Sequence, residues 1–156
     1  MRFAIIITLA LIFLPEVKSM SLFGVGKTCV FSSVKVRLLQ DGKPVANAKV
    51  TREWNWNSAK RDESTTDADG YVTFPAVFES SVSRLLPIEI VITQHLSVNV
   101  NGEELIFWTN AKRKPEENSE YGGAKFDAVC ELNDEEILVE EYGSLMLTKC
   151  KLNKED

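Results

Sequence analysis

Hydrophobic and polar positions alternate along much of the chain in short runs. Val34, Val36 and Leu38 fall on one side of a period of two with Lys35 and Arg37 between them, and Val98 and Val100 alternate with Ser97 and Asn99. This pattern predicts strands at Cys29 to Leu39, Ala48 to Trp56, Tyr71 to Phe74, Ile88 to Gln94, Leu96 to Val100, Glu104 to Trp108, Lys125 to Leu132, Glu136 to Glu141 and Ser144 to Lys151. Turn-forming residues separate them at Gln40 to Pro44, Asp67 to Gly70, Asn101-Gly102 and Glu141 to Ser144. Asn101-Gly102 is the sharpest of these signals, because both central residues of a type I′ turn need positive φ. No long helical period competes, although Phe74 to Leu86 admits a short helical turn ahead of Pro87. Many short strands in one uninterrupted run predict an all-β domain, a sandwich or a barrel.

The first 19 residues follow a different order. Arg2, an apolar run from Phe3 to Leu14, the breaker Pro15 and the small Ser19 have the layout of a secretory signal peptide. Cleavage there leaves 20–156 as a single β-domain in the periplasm or outside the cell. The apolar run is about 12 residues, short of the roughly 20 that cross a bilayer as a helix, so no integral membrane segment is expected after cleavage. Met20 also opens an ordinary-looking start, Met-Ser-Leu-Phe, and translation from it would keep the protein in the cytoplasm.

Charge and chemistry narrow the function further. With 18 Lys and Arg against 23 Asp and Glu, the net charge of -5 argues against a phosphate-tracking surface and so against a nucleic-acid partner. The single histidine, His95, rules out any centre that needs two imidazoles, and its place between two strand-like runs predicts a turn or sheet edge. A Cys29 or Cys130 nucleophile would need that histidine as base together with an orienting group. Asp67 to Gly70 carries a fragment of a calcium loop without the further oxygens such a loop requires, so it reads as a β-turn. No catalytic residue, metal ligand or cofactor is expected, and the protein reads as a non-enzyme that acts by binding.

Export would make a disulfide plausible among Cys29, Cys130 and Cys150, with three single pairings open. Cys130 with Cys150 closes a loop of about 20 residues. A strand at Glu136 to Glu141 lying between theirs would instead hold the two about 10 Å apart.

The run from Val36 to Trp54 followed by Ser64 to Phe74 has a grammar of strand, Gly-x-Pro-Val turn, small residue, strand, and Thr-Asp-x-x-Gly before an aromatic strand. It resembles the carboxypeptidase-regulatory-like and transthyretin-like domains. The resemblance implies a single transthyretin-like or immunoglobulin-like β-sandwich, here with a β-rich C-terminal extension. Trp54 to Asn57, Thr65 to Val77, Leu85 to Gln94, the Tyr-Gly-Gly at 121–123 and Ala128 to Leu132 together are similar to a family of small, functionally uncharacterised proteins of Gram-negative bacteria, which brings no catalytic residues with it. The transthyretin-like purine hydrolases rely on several histidines and a C-terminal signature that this chain lacks.

The expected partner is another protein, with a glycan as the alternative. Trp54 and Trp56, two apart on one strand, would share a face suited to anchoring a partner or stacking on a sugar, with Trp108 as a third aromatic candidate. Their other reading is as cover for one end of the core. Asn110 to Gly123 reads as a long polar loop in which Lys112, Arg113 and Lys114 suit an acidic partner and Glu116, Glu117 and Glu120 a basic one, with a solvated, partly disordered loop as its other reading. Asp134, Glu135, Glu136, Glu140 and Glu141 form a second acidic cluster, which would attract a basic partner or simply keep the surface wet. These features suit an immunity-type inhibitor of a bacterial toxin, an accessory protein of a secretion system, or a carbohydrate-binding module of the cell envelope.

Overall fold

The computed structural model describes residues 26–80 and 89–153, so the expected signal segment and the later part of the expected Phe74 to Leu86 turn lie outside the described residues. The strands are β1 (Lys27–Phe31), β2 (Val34–Gln40), β3 (Lys43–Pro44), β4 (Lys49–Asn55), β5 (Ala59–Thr65), β6 (Tyr71–Phe74), β7 (Val77–Ser80), β8 (Ile92–Val100), β9 (Glu103–Lys112), β10 (Phe126–Glu131), β11 (Ile137–Val139), β12 (Met146–Thr148) and β13 (Cys150–Leu152). Among the described residues a 3-10 turn, Ser119–Tyr121, interrupts them. The protein is an all-β sandwich. A small sheet of β1 and β7 accompanies a five-stranded sheet, β13-β10-β2-β3 with β6 also on β2, and a six-stranded sheet, β11-β12-β9-β8-β4-β5. The six-stranded sheet is the large sheet of the sandwich.

Alternation decides which face each strand buries. Val34, Val36 and Leu38 of β2, Phe126, Ala128 and Cys130 of β10, and Val72 and Phe74 of β6 point inward, opposite Val50, Leu96, Val98 and Met146 of the large sheet. Trp108 joins the layers, its ring 4.9 Å from Phe126 and 5.6 Å from Phe31. A bulge makes this possible: Leu96 pairs with Trp108 and Ser97 with Ile106, which leaves Phe107 as an extra residue. Phe107 and Trp108, neighbours in sequence, are therefore both fully buried.

Two tight turns have the expected chemistry. Asn101 and Gly102 take φ values of 54° and 87°, and Asp41 and Gly42 take 52° and 72°. Both pairs therefore fit the twist of type I′ hairpins. The Glu131 carboxylate accepts the N–H groups of Asp41 and Gly42 at 2.9 Å each. Partial burial would raise its pKa, but these backbone donors outweigh it and hold the carboxyl below its ordinary range. At the Asp67 to Gly70 turn, the Asp67 carboxylate accepts from the Asp69 and Tyr71 N–H groups. Its oxygen is occupied by the turn itself.

Several expectations change. Cys29 to Leu39 is broken at Ser32, which is buried and turns aside to bond Glu120, so β1 and β2 join different sheets. The segment Val77–Ser80, expected within a helical turn, is a strand paired with β1. The runs on either side of His95 are one continuous strand, β8, and His95 lies in the interior of the large sheet, not at a turn or edge. β5, which was not anticipated, is an edge strand whose sequence Ala-Lys-Arg-Asp-Glu-Ser-Thr has no apolar alternation. β11 does not separate the cysteines: it belongs to the large sheet, while β10 and β13 pair directly. Cys130 lies opposite Cys150 and is joined to it by a disulfide, and Cys29 is free and buried.

Candidate functional site

Three of the expected contact residues, Trp54, Trp108 and Lys112, are buried. Trp108 is 0% exposed, and its Nε1–H donates to the Tyr121 hydroxyl at 2.9 Å. Trp54 is 7% exposed and donates from Nε1 to Glu79 at 2.7 Å. Trp56 does not share a strand face with it: β4 ends at Asn55, and Trp56 packs half-buried against the core. Trp108 is closed off entirely, whereas the small part of Trp54 that stays exposed lines a cleft with Glu53, Lys60 and His95. Lys112 is likewise no surface charge, being 1% exposed at the end of β9.

The reason is a buried polar network under the segment expected to be a long loop. Lys112 Nζ lies 2.8 Å from Glu120 Oε2 and also donates to the Glu116 carbonyl and the Ser119 hydroxyl. Glu120 accepts from the Ser32 N–H, the Ser32 hydroxyl and Gln94 Nε2. Gln94 in turn receives Asn110 Nδ2, and Asn110 receives the Ser144 hydroxyl. Burial pulls the Glu120 pKa upward, yet the Lys112 charge and these hydrogen bonds overcome it and hold the carboxyl below its ordinary value. The thiol of Cys29, 3.8 Å from the Ser32 hydroxyl, is pushed up by burial. A raised thiol pKa is the opposite of what an activated nucleophile needs. The network clamps residues 112–121 to β1, β8 and β9. Of the candidates there, Arg113, Lys114, Glu116 and Glu117 remain exposed, with Arg113 paired to Glu89.

Arg52, also missed from the sequence, is 0% exposed beneath β5. Its guanidinium makes a two-pronged contact with Asp62 (2.9 and 2.5 Å), donates to the Pro75 carbonyl, and lies over the Phe74 ring.

The outer face of the large sheet is open. In register across all of its strands run Leu138, Leu147, Thr109, His95, Glu53 and Arg61. The half over β4, β5 and β8 is polar and holds two adjoining clefts of about 460 and 480 Å³ that share Glu53, Arg61 and His95. Its charges answer one another: Lys49 pairs with Glu63 at 3.2 Å, Ser97 donates to Glu104 at 2.7 Å, and His95 Nδ1 lies 3.3 Å from Thr109 Oγ1. The half over β12 and β11 is apolar and unanswered, with Leu145 54%, Leu147 42% and Leu138 58% exposed, and Ile106 of β9, 48% exposed, stands at its border in the lining of the first cleft. Among the described residues no group of three or more His, Cys, Asp or Glu is placed to hold a metal ion, and no helix is long and apolar enough to cross a membrane.

The fold is an all-β sandwich whose large sheet carries an open outer face. Residues 34–135 match the family described as Domain of unknown function (DUF6795), and since this is more than half of the chain, the protein belongs to that family. No curated protein and no solved structure matches the chain. β1 and the β11 to β13 segment lie outside the matched residues.

Proposed function

We propose that the protein is a non-enzymatic binding protein that recognises another protein through the outer face of its large sheet, in the manner of an exported immunity-type inhibitor or a secretion-system accessory protein. The exposed row of Ile106, Leu145, Leu147 and Leu138 carries this reading, because apolar side chains gathered on one uncovered face mark interaction surfaces. The polar half of the face and the overall acidic charge supply a rim that steers a basic partner without adding much affinity. Export is supported by the signal-like order of residues 1–19 and by the Cys130–Cys150 disulfide, a bond suited to an oxidising compartment. Against the glycan alternative stands the arrangement of its stacking pair: Trp54 is 7% exposed, and Trp56, half-buried, lies beyond the end of β4.

The test is affinity capture from the native host with three forms of the chain: wild type, Leu147→Glu and Lys114→Glu. A specific protein retained by wild type and Lys114→Glu but lost with Leu147→Glu supports the reading. Equal capture by all three sinks it, as does saturable binding of a glycan. Mass measurement of the protein recovered from the host decides whether residues 1–19 have been removed.

A further inference from the structure

We infer that the outer edge of β11 is an acceptor for an added strand, and that the strand it takes is an extended segment with an apolar centre and basic residues on both sides. The inference rests on the protein-binding reading above and names how the partner is held.

The backbone bonds next door fix which groups are free. Ala111 donates to the Leu145 carbonyl and Lys149 to the Phe107 carbonyl. Leu147, in register with Thr109, therefore turns its own N–H and C=O toward β9. The alternate residues Met146 and Thr148 turn theirs to Val139 and Ile137 of β11. Leu138, between these two, is left with its N–H and C=O pointing away from the sheet. Among the described residues no strand lies beyond it. Its side chain, meanwhile, ends the apolar row that runs through Leu147.

The sequence around this edge selects the occupant. Glu135-Glu136-Ile137-Leu138-Val139-Glu140-Glu141 is symmetric in charge about Leu138, and all four carboxylate side chains are exposed. No described cation is in an ion pair with any of them. A second copy of the chain added antiparallel about Leu138 would set Glu136 against Glu140 and Glu135 against Glu141. Like charges directly opposite disfavour pairing. The same positions favour Lys or Arg in an incoming strand, whose central apolar residues meet Leu138 on the outer face and Ile137, 52% exposed, on the other. Short charged edges protect sheets from indiscriminate pairing, and here the protection has one sign. Main-chain bonds then give affinity, and the flanking charges give selectivity.

The test uses the isotope-labelled full chain and two capped peptides, Lys-Lys-Ile-Leu-Val-Lys-Lys and Glu-Glu-Ile-Leu-Val-Glu-Glu. The expected result is saturable protection of the Leu138 amide from exchange by the basic peptide, with the acidic one about tenfold weaker or inactive. Leu138→Pro removes the outward N–H without touching a bond to β12 and should abolish binding, with an unchanged unfolding midpoint certifying the fold. Glu136→Lys with Glu140→Lys, which needs no proline, should move the preference toward the acidic peptide. An unprotected Leu138 amide at millimolar basic peptide overturns the inference. So does equal response to both peptides, or dimerisation of the wild-type chain through β11 at low salt. In the capture experiment, loss with Leu147→Glu but wild-type capture by Leu138→Pro rejects the strand edge alone, whereas capture unaffected by Leu147→Glu rejects the binding face.

Discussion

Lys112 and Glu120 are the residues whose roles depend most on each other. Each is 1% exposed, so removing one leaves the other as an uncompensated buried charge. Glu120→Ala should cost about 3–5 kcal/mol, read as a fall in urea midpoint at neutral pH. The pH dependence has a definite sign. Because the folded-state pKa of Glu120 is held below its ordinary value, its contribution is present at neutral pH and is lost as pH falls through that lowered value. Glu120→Ala should therefore show a shallower loss of stability on acidification than wild type; parallel acid limbs would contradict the assignment. A second residue-scale prediction concerns glycine. At Gly70, φ is +84° and an added Cβ would stand 2.5 Å from the Leu38 carbonyl oxygen, whereas at Gly102 φ is +87° and a Cβ would meet nothing within 4 Å. Gly102→Ala carries only the positive-φ cost of about 1–2 kcal/mol. Gly70→Ala adds a backbone clash and should lower the urea midpoint clearly more; equal losses would count against the packing argument. None of this pairing was legible in the sequence. Lys112 and Glu120 read as partner-facing loop charges because a charged residue is almost never fully buried without a partner, and the groups that complete their burial, Ser32 and Gln94, lie far away in sequence; Arg52 drew no notice at all.

At the scale of elements, legibility followed alternation and turn chemistry. β6 was predicted with its observed bounds, and the Asn101-Gly102 hairpin forms as expected, because local sequence determines both. β5 escaped notice because an edge strand paired only to β4 buries little, and its essential residue, Asp62, works through Arg52. The bulge in β9 hid Trp108: strict alternation cannot place Phe107 and Trp108 on the same face. The pairing of β10 with β13 illustrates the same limit, since sequence order suggested an intervening strand and the chain instead sends β11 to another sheet. That pairing gives an element-scale prediction. With a sequence separation of 20, the Cys130–Cys150 bond should contribute about 3 kcal/mol by restricting the unfolded chain. Replacing both cysteines by Ala should lower the unfolding midpoint accordingly. Reductant should lower the wild-type midpoint and leave that of the double variant unchanged; an unchanged wild-type midpoint in reductant would show that the bond contributes nothing.

For the whole molecule, the open sheet face poses a problem of self-association that charge must manage. A net charge of -5 keeps copies apart at a distance, but the exposed apolar row ends at a sheet edge, β11, that another chain could extend. The carboxylates on either side of Ile137, Leu138 and Val139 are there for local protection if the edge is otherwise competent to pair. The prediction is that the wild-type chain stays monodisperse at neutral pH, while Glu135, Glu136, Glu140 and Glu141 replaced together by Gln allow concentration-dependent dimers. High salt should push the wild type in the same direction, because at 1 M the screening length falls to about 3 Å and exposed carboxylates on paired strands cease to repel effectively. Sedimentation velocity across a concentration series reads both effects. Adding Leu138→Pro to the Gln variant should restore the monomer, since it removes the outward N–H that pairing needs. A Gln variant that remains monomeric at every concentration would show that the shortness of β11, not its charge, is what keeps the sheet closed.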